Sequence, residues 1–213
     1  MALAKRMHFA DRRAAIIREA VRLFAERGFR GTTTRELAAA VGVTEPVLYE
    51  HFRTKREVYE AIIEITSCEG AEQLAVLAGA HTRAGNDRGY FEGVAGLMLG
   101  FHESNPEFVR LLMFSALESH ELGEAFAQRY RELLLSAVGD YIGRRIREGA
   151  FRKLDALFAA RAFASMVANF GLQLVLFPSV MAKIDRQDLI RGVVDIFLAG
   201  VARRNPRSKK RKQ

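Results

Sequence analysis

Apolar residues recur at intervals of three and four from Asp11 to Gly200, with almost no sustained two-residue alternation, so the chain reads as all-α with about nine helices. The first is predicted over 11–27, with Ala14, Ile17, Val21 and Phe24 on one face and Gly28 as a left-handed cap. Thr33 and Glu36 then show the spacing of a capping box: the Thr33 hydroxyl reaches the Glu36 N–H while the Glu36 carboxylate reaches back to the Thr33 N–H. The short helix they open turns Leu37, Ala38 and Val41 inward and stops at Gly42. Thr44 caps a third helix with Pro46 in its first turn, where no N–H is needed, and Leu48 and Phe52 face the core. Thr54 and Glu57 repeat the capping-box spacing and open a longer helix through Val58, Ile62, Ile63 and Ile65 toward Leu77.

Residues 78–89 hold three glycines beside Asn86 and Asp87 and read as the central loop. A helix from about Arg88 to Glu103 follows, and Asn105-Pro106-Glu107 starts another that ends near Glu118. A long helix is predicted from about Glu121 to Glu148, stopped by Gly149. Asp155 caps the next, which runs to Phe177 with Pro178 after it, and Asp185 caps the last, which runs to Leu198 with Gly200 after it.

Charge is divided unevenly along this pattern. Residues 1–60 carry 12 Lys and Arg against 8 Asp and Glu, residues 61–202 carry 14 against 17, and residues 203–213 carry 7 against none. A phosphate-bearing partner is therefore expected at the first sixty residues rather than over the whole surface. The tail has no apolar residue and is either a solvated, unstructured end or an arm adding sequence-independent contacts to DNA.

Other chemistries find little support. Cys68 is the one cysteine, which leaves no internal disulfide framework and fits a reducing compartment. Residues 1–13 lack the apolar stretch of a secretory leader, so a cytoplasmic location is expected. The stretch 162–182 is uncharged and long enough to span a bilayer, yet Ser165, Asn169 and Gln173 interrupt it; a helix buried against protein is the better reading, and no membrane partner is expected. The five histidines show no metal-ligand spacing, Cys68 has no histidine near it in sequence, and no glycine-rich phosphate loop follows a strand. No enzyme activity, metal or cofactor is expected.

Two short capped helices joined by a tight turn at Gly42 make a helix-turn-helix, whose second helix enters the major groove by its N-terminal residues. Ile16, Ala20, Leu23-Phe24, Gly28, Thr33, Leu37-Ala38, Val41-Gly42-Val43, Leu48-Tyr49, His51-Phe52 and Lys55 together resemble the DNA-binding domain of the TetR/AcrR transcriptional regulators. That resemblance covers about residues 11–60. It implies a homodimer with a three-helix reading head over residues 1–60, and a helical domain over 61–202 that binds a small-molecule inducer. Residues 203–213 are left as a disordered basic tail.

Within the head, Thr44, Glu45, Pro46 and Val47 lie at the entering end of the recognition helix and are expected to contact bases. Glu45 suits cytosine N4, and Pro46 or Val47 suits a thymine methyl. Thr33, Tyr49, His51 and Lys55 match positions the family uses on phosphates, although Thr33 has capping and Tyr49 has core packing as an alternative role. For the inducer pocket the expected lining is Met98, Phe101, His102, Met113, Phe114, Glu118, Tyr130, Leu134, Met166, Asn169 and Phe170, apolar groups with a few polar handles that suit an apolar or amphipathic ligand. The family pairs its last two helices with those of the symmetry mate. That implies an interface here at Ala164, Ala168, Gly171, Leu174, Val193 and Phe197. The expected function is a ligand-responsive DNA-binding regulator, most simply a repressor released from a palindromic operator. The alternative is a helical ligand- or partner-binding module without sequence-specific DNA binding.

Overall fold

The computed structural model describes residues 9–65, 86–117, 124, 128 and 134–202. Its helices are α1 (Phe9–Arg27), α2 (Thr34–Val41), α3 (Glu45–His51), α4 (described over 55–65), α5 (Asp87–Ser104), α6 (Pro106–Leu117), α7 (Ser136–Arg147), α8 (Ala156–Leu176), α9 (Pro178–Met181) and α10 (Arg186–Val201). The described residues thus hold at least part of each of the nine expected helices and a tenth, α9, while the expected stretches 66–77 and most of 121–133 lie outside them. Pro178 does close α8, but its fixed φ also suits the first turn of a new helix, so a single turn follows at once. Cys68 and the tail lie outside the described residues.

Helix ends follow local chemistry. Thr33 accepts from the Glu36 N–H at 3.2 Å while the Glu36 carboxylate accepts from the Thr33 N–H at 2.8 Å, so the capping box is closed in both directions. Asp155 caps α8 through the Phe158 N–H, and Asp185 caps α10 through the N–H groups of Gln187 and Asp188. At Thr54 the box is shifted: the threonine accepts from the Glu57 N–H, but Glu57 reaches back to the N–H of Arg53. Gly28, Gly42 and Gly149 end their helices at φ values of 73°, 75° and 76°, a left-handed conformation that disfavours any side chain with a Cβ.

The chain divides into two compact units. One contains α1–α4 and α6, the other α5 and α7–α10. In the first, α1 buries Ile16, Ala20, Leu23 and Phe24, whereas Ala14 is exposed and Ile17 and Val21 are half-buried, so the buried stripe is rotated from the expected one. The rotation arises because α1 is covered on two sides. It packs against α2 and also against α6, which supplies buried Phe108, Val109 and Leu111. Phe24, Phe29 and Tyr59 close this core with ring centroids 5.5 to 5.8 Å apart.

In the second unit Phe91 is fully buried, with its ring centroid 4.9 Å from that of Phe163 and 4.8 Å from that of Phe197, so α5, α8 and α10 share one aromatic centre. Tyr90 and Tyr141 stack at 3.7 Å. Beside them Arg145 Nε pairs with Asp87 at 2.7 Å, and the Tyr141 hydroxyl donates to the same carboxylate at 2.8 Å. Burial and this hydrogen bond push the Tyr141 phenol well up, and burial pushes that of Tyr90 up to about 12. α8 is long and apolar enough to cross a membrane, but its buried Ala159, Ala160, Phe163, Ala164 and Val167 belong to this core.

Candidate nucleic-acid interface

Three successive threonines leave α1 and enter α2, and each does something different. Thr32 is buried and its hydroxyl donates to the Gly28 carbonyl at 3.0 Å, tying the loop to the end of α1. Thr33 caps α2, and its hydroxyl proton goes to the Glu36 carboxylate at 2.9 Å. These bonds from the Thr33 backbone and side chain hold the Glu36 carboxyl below its ordinary range. Thr34 alone faces the second half of the motif. Its hydroxyl donates to Glu45 Oε1 at 2.8 Å and accepts from the Tyr49 hydroxyl at 3.3 Å, so the start of α2 is hydrogen-bonded to the start and middle of α3.

The base-contact candidates lie together at that end of α3. Thr44 is exposed at the N-cap position but makes no side-chain capping bond, so its hydroxyl is not used in holding the helix. Pro46 is exposed, and Glu45 and Val47 are half-buried. Leu48 and Phe52 are buried, and the latter carries the Arg13 guanidinium 4.8 Å above its ring.

The four phosphate candidates separate. Tyr49 is 46% exposed, which places it on the surface and not in the core. The Thr33 hydroxyl is engaged in the capping box in both directions. His51 lies beneath Phe9, with ring centroids 4.0 Å apart, and both ring nitrogens are shielded from solvent. Burial, then the nearby Arg12 and Arg13, lower its pKa and favour the neutral ring, although Glu50 opposes them. Lys55 turns inward: Nζ donates to the carbonyls of Phe29 at 2.5 Å and Thr32 at 2.7 Å and sits 4.2 Å from the centre of the Phe29 ring. In this structure it clamps the loop between α1 and α2 rather than extending a cation into solvent. Arg35, which sequence reasoning passed over, is exposed in the first turn of α2 and forms no ion pair among the described residues.

The pocket candidates fall in both units. Met98 and Leu134 are buried in the second unit's core, and Met166 and Phe170 pack against it. His102 is half-buried; its Nδ1 donates to the Met98 carbonyl at 2.7 Å and its ring lies flush on the Gly171 backbone. Burial lowers its pKa, against the Met98 carbonyl and Glu103. Phe101 is half-buried, and exposed Asn169 accepts from Gln173 at 2.6 Å. Met113 and Phe114 stand on α6, in the unit that holds the head. Glu118 and Tyr130 lie outside the described residues.

The residues expected at the interface occupy several different places. Ala164, Val193 and Phe197 belong to the second unit's own core, Ala168 and Leu174 pack against it, and Gly171 is covered by His102. Phe158, 70% exposed, Ala162, and Ile196, 69% exposed, are among the outward apolar residues of α8 and α10. With Met166, Phe197 and Gly200 they line a shallow groove of about 260 Å³. Each helix is apolar on more than one face, so composition could not tell the inner stripe from the outer.

Residues 16–62 match the family model described as bacterial regulatory proteins of the tetR family, and residues 93–200 match that of the AefR-like transcriptional repressor C-terminal domain. The chain belongs to the TetR family. As a TetR-family transcriptional regulator it carries its helix-turn-helix in the first matched segment and a helical C-terminal domain in the second. The nucleoid occlusion factor SlmA of Haemophilus influenzae is 30% identical over 135 residues, which span 62% of this chain and 61% of that protein. The class C tetracycline repressor protein of Escherichia coli is 46% identical over 52 residues, 24% of each chain. Among solved structures, that of AibR in complex with isovaleryl coenzyme A and operator DNA has the same fold. Its TM-score is 0.67 at 22% identity, covering 87% of this chain and 97% of that one.

Proposed function

We propose that this TetR-family regulator is a cytoplasmic homodimeric repressor that reads a palindromic operator and is released from it by a small apolar or amphipathic ligand. The observation that carries the reading is the head: α2 and α3 are fixed by a closed capping box and the left-handed Gly42, with Thr34, Glu45, Pro46 and Tyr49 grouped where a recognition helix enters the major groove. Residues 1–60 serve as the reading head and 61–202 as the effector and dimer domain. Phe158, Ala162 and Ile196 supply the apolar surface on which a second copy would pack. Ligand binding shifts the population toward dimers whose heads no longer fit half-sites about one helical turn, or a multiple of it, apart.

Selection of bound sequences from a randomised duplex library tests this, read at two salt concentrations with the intact chain and with residues 203–213 deleted. A palindrome that survives deletion of the tail is expected. Recovery of only unspecific, tail-dependent and salt-sensitive binding would replace the repressor with a helical ligand- or partner-binding module.

A further inference from the structure

The hydrogen-bond chain across the motif has a fixed direction. A carboxylate can only accept, so Thr34 supplies the proton to Glu45 Oε1 at 2.8 Å; having given its one proton, Thr34 can only accept from Tyr49 at 3.3 Å. While Glu45 is so held, Thr34 has no proton for a phosphate oxygen. Glu45 is the first residue of the recognition helix and is half-buried, so one carboxylate oxygen is tied to α2, and Oε2 makes no hydrogen bond among the described residues. An acid in that place is repelled by the phosphates on either side of a groove. It becomes favourable only where it meets a donor on a base edge, and the exocyclic amino group of cytosine is the donor that suits a carboxylate in the major groove.

We propose that Thr34 is a positioning residue for sequence reading: it pins Glu45 so that the second carboxylate oxygen accepts from cytosine N4 at one step of each half-site. This rests on the reading of the head as sequence-specific. A flexible glutamate would spread its free oxygen over several positions, and the bond to Thr34 removes most of that freedom before DNA arrives.

The experiment measures competition binding of the full chain to the selected duplex, with each base placed in turn at every position, for the wild type, T34V, T34S and E45Q. The wild type should prefer cytosine at one step of each half-site by about tenfold. In T34V, which keeps the β-branched shape without the hydroxyl, that preference should fall below about threefold while other positions and the salt slope stay unchanged. T34S should restore it, and E45Q should move the preference away from cytosine. A T34V variant that weakens all sequences alike with a shallower salt slope would make Thr34 a phosphate donor and overturn the proposal, as would an unchanged cytosine preference. Should T34V fail to fold, T34A takes its place, and E45A decides the part of the acid, because cytosine preference surviving the loss of both side-chain oxygens excludes Glu45 as reader. A wild type that selects no sequence at all overturns the regulator reading itself, and this inference with it.

Discussion

Replacing Lys55 with Met keeps a long apolar stem but removes the ammonium that donates to the Phe29 and Thr32 carbonyls and sits over the Phe29 ring. Each charge-assisted hydrogen bond contributes about 1.5–3 kcal/mol, and a half-exposed cation over an aromatic face about 0.5–1 kcal/mol. Against this stands the cost of taking an ammonium partly out of water, since Lys55 is half-buried. A net loss of about 3 kcal/mol is expected, because Met offers the Thr32 carbonyl no replacement donor. For a chain of this length each kcal/mol lowers Tm by about 2–4 °C, so K55M should melt roughly 6–12 °C below the wild type. K55Q, which keeps donors without the charge, should fall between them. The assay is thermal unfolding by calorimetry, accompanied by DNA affinity at two salt concentrations. If K55M kept the wild-type Tm but bound all duplexes more weakly, with a salt slope shallower by about one, Lys55 would be a phosphate contact and the clamp would be refuted.

Three further outcomes concern Gly171, Gly42 and His51. In G171A the new methyl would stand 2.6 Å from His102 Cγ, so α5 and α8 must separate or the ring must leave Met98; a loss of about 1–3 kcal/mol in urea unfolding is expected, reduced in the G171A/H102A double variant. At Gly42 there is open space around the position but φ is +75°, so G42A should cost only about 1 kcal/mol, a backbone effect that measurement of the G42N variant should partly relieve. His51 has its pKa lowered in the folded chain, so below its ordinary value the unfolded chain binds the proton first; stability is full above about pH 6.5 and declines as pH falls through that value. Unfolding free energy measured from pH 7.5 to 5 should therefore fall less steeply in H51F than in the wild type, and parallel curves would show that His51 titrates freely.

Helix starts and stops were readable because each depends on residues within four positions of one another. The Thr33–Glu36 box, the aspartates at 155 and 185, and the glycines at 28, 42 and 149 all occupy the places their chemistry implies. The motif of the head was legible for the same reason. Its hydroxyl traffic was not: a capping box explains one of three adjacent threonines, and the role of Thr34 depends on Glu45 and Tyr49, 11 and 15 residues away. A run of three threonines where one cap was needed was the available signal. Likewise Lys55 finds its carbonyls 23 and 26 residues back, and the Phe9 ring that covers His51 comes from the far end of α1.

What the amino-acid order determined alone was therefore local: the helices, their caps, the helix-turn-helix and the division of charge. Which stripe of each helix turns inward was left to the tertiary structure. α1, α8 and α10 carry apolar residues on more than one side, and a periodicity of 3.6 is satisfied by either stripe until a partner covers one of them. Packing of α6 on α1 rotated the buried face of the first helix, and the core around Phe91, Phe163 and Phe197 took in Ala164 and Val193. Phe158 and Ile196 stayed largely exposed on the outer side of their helices.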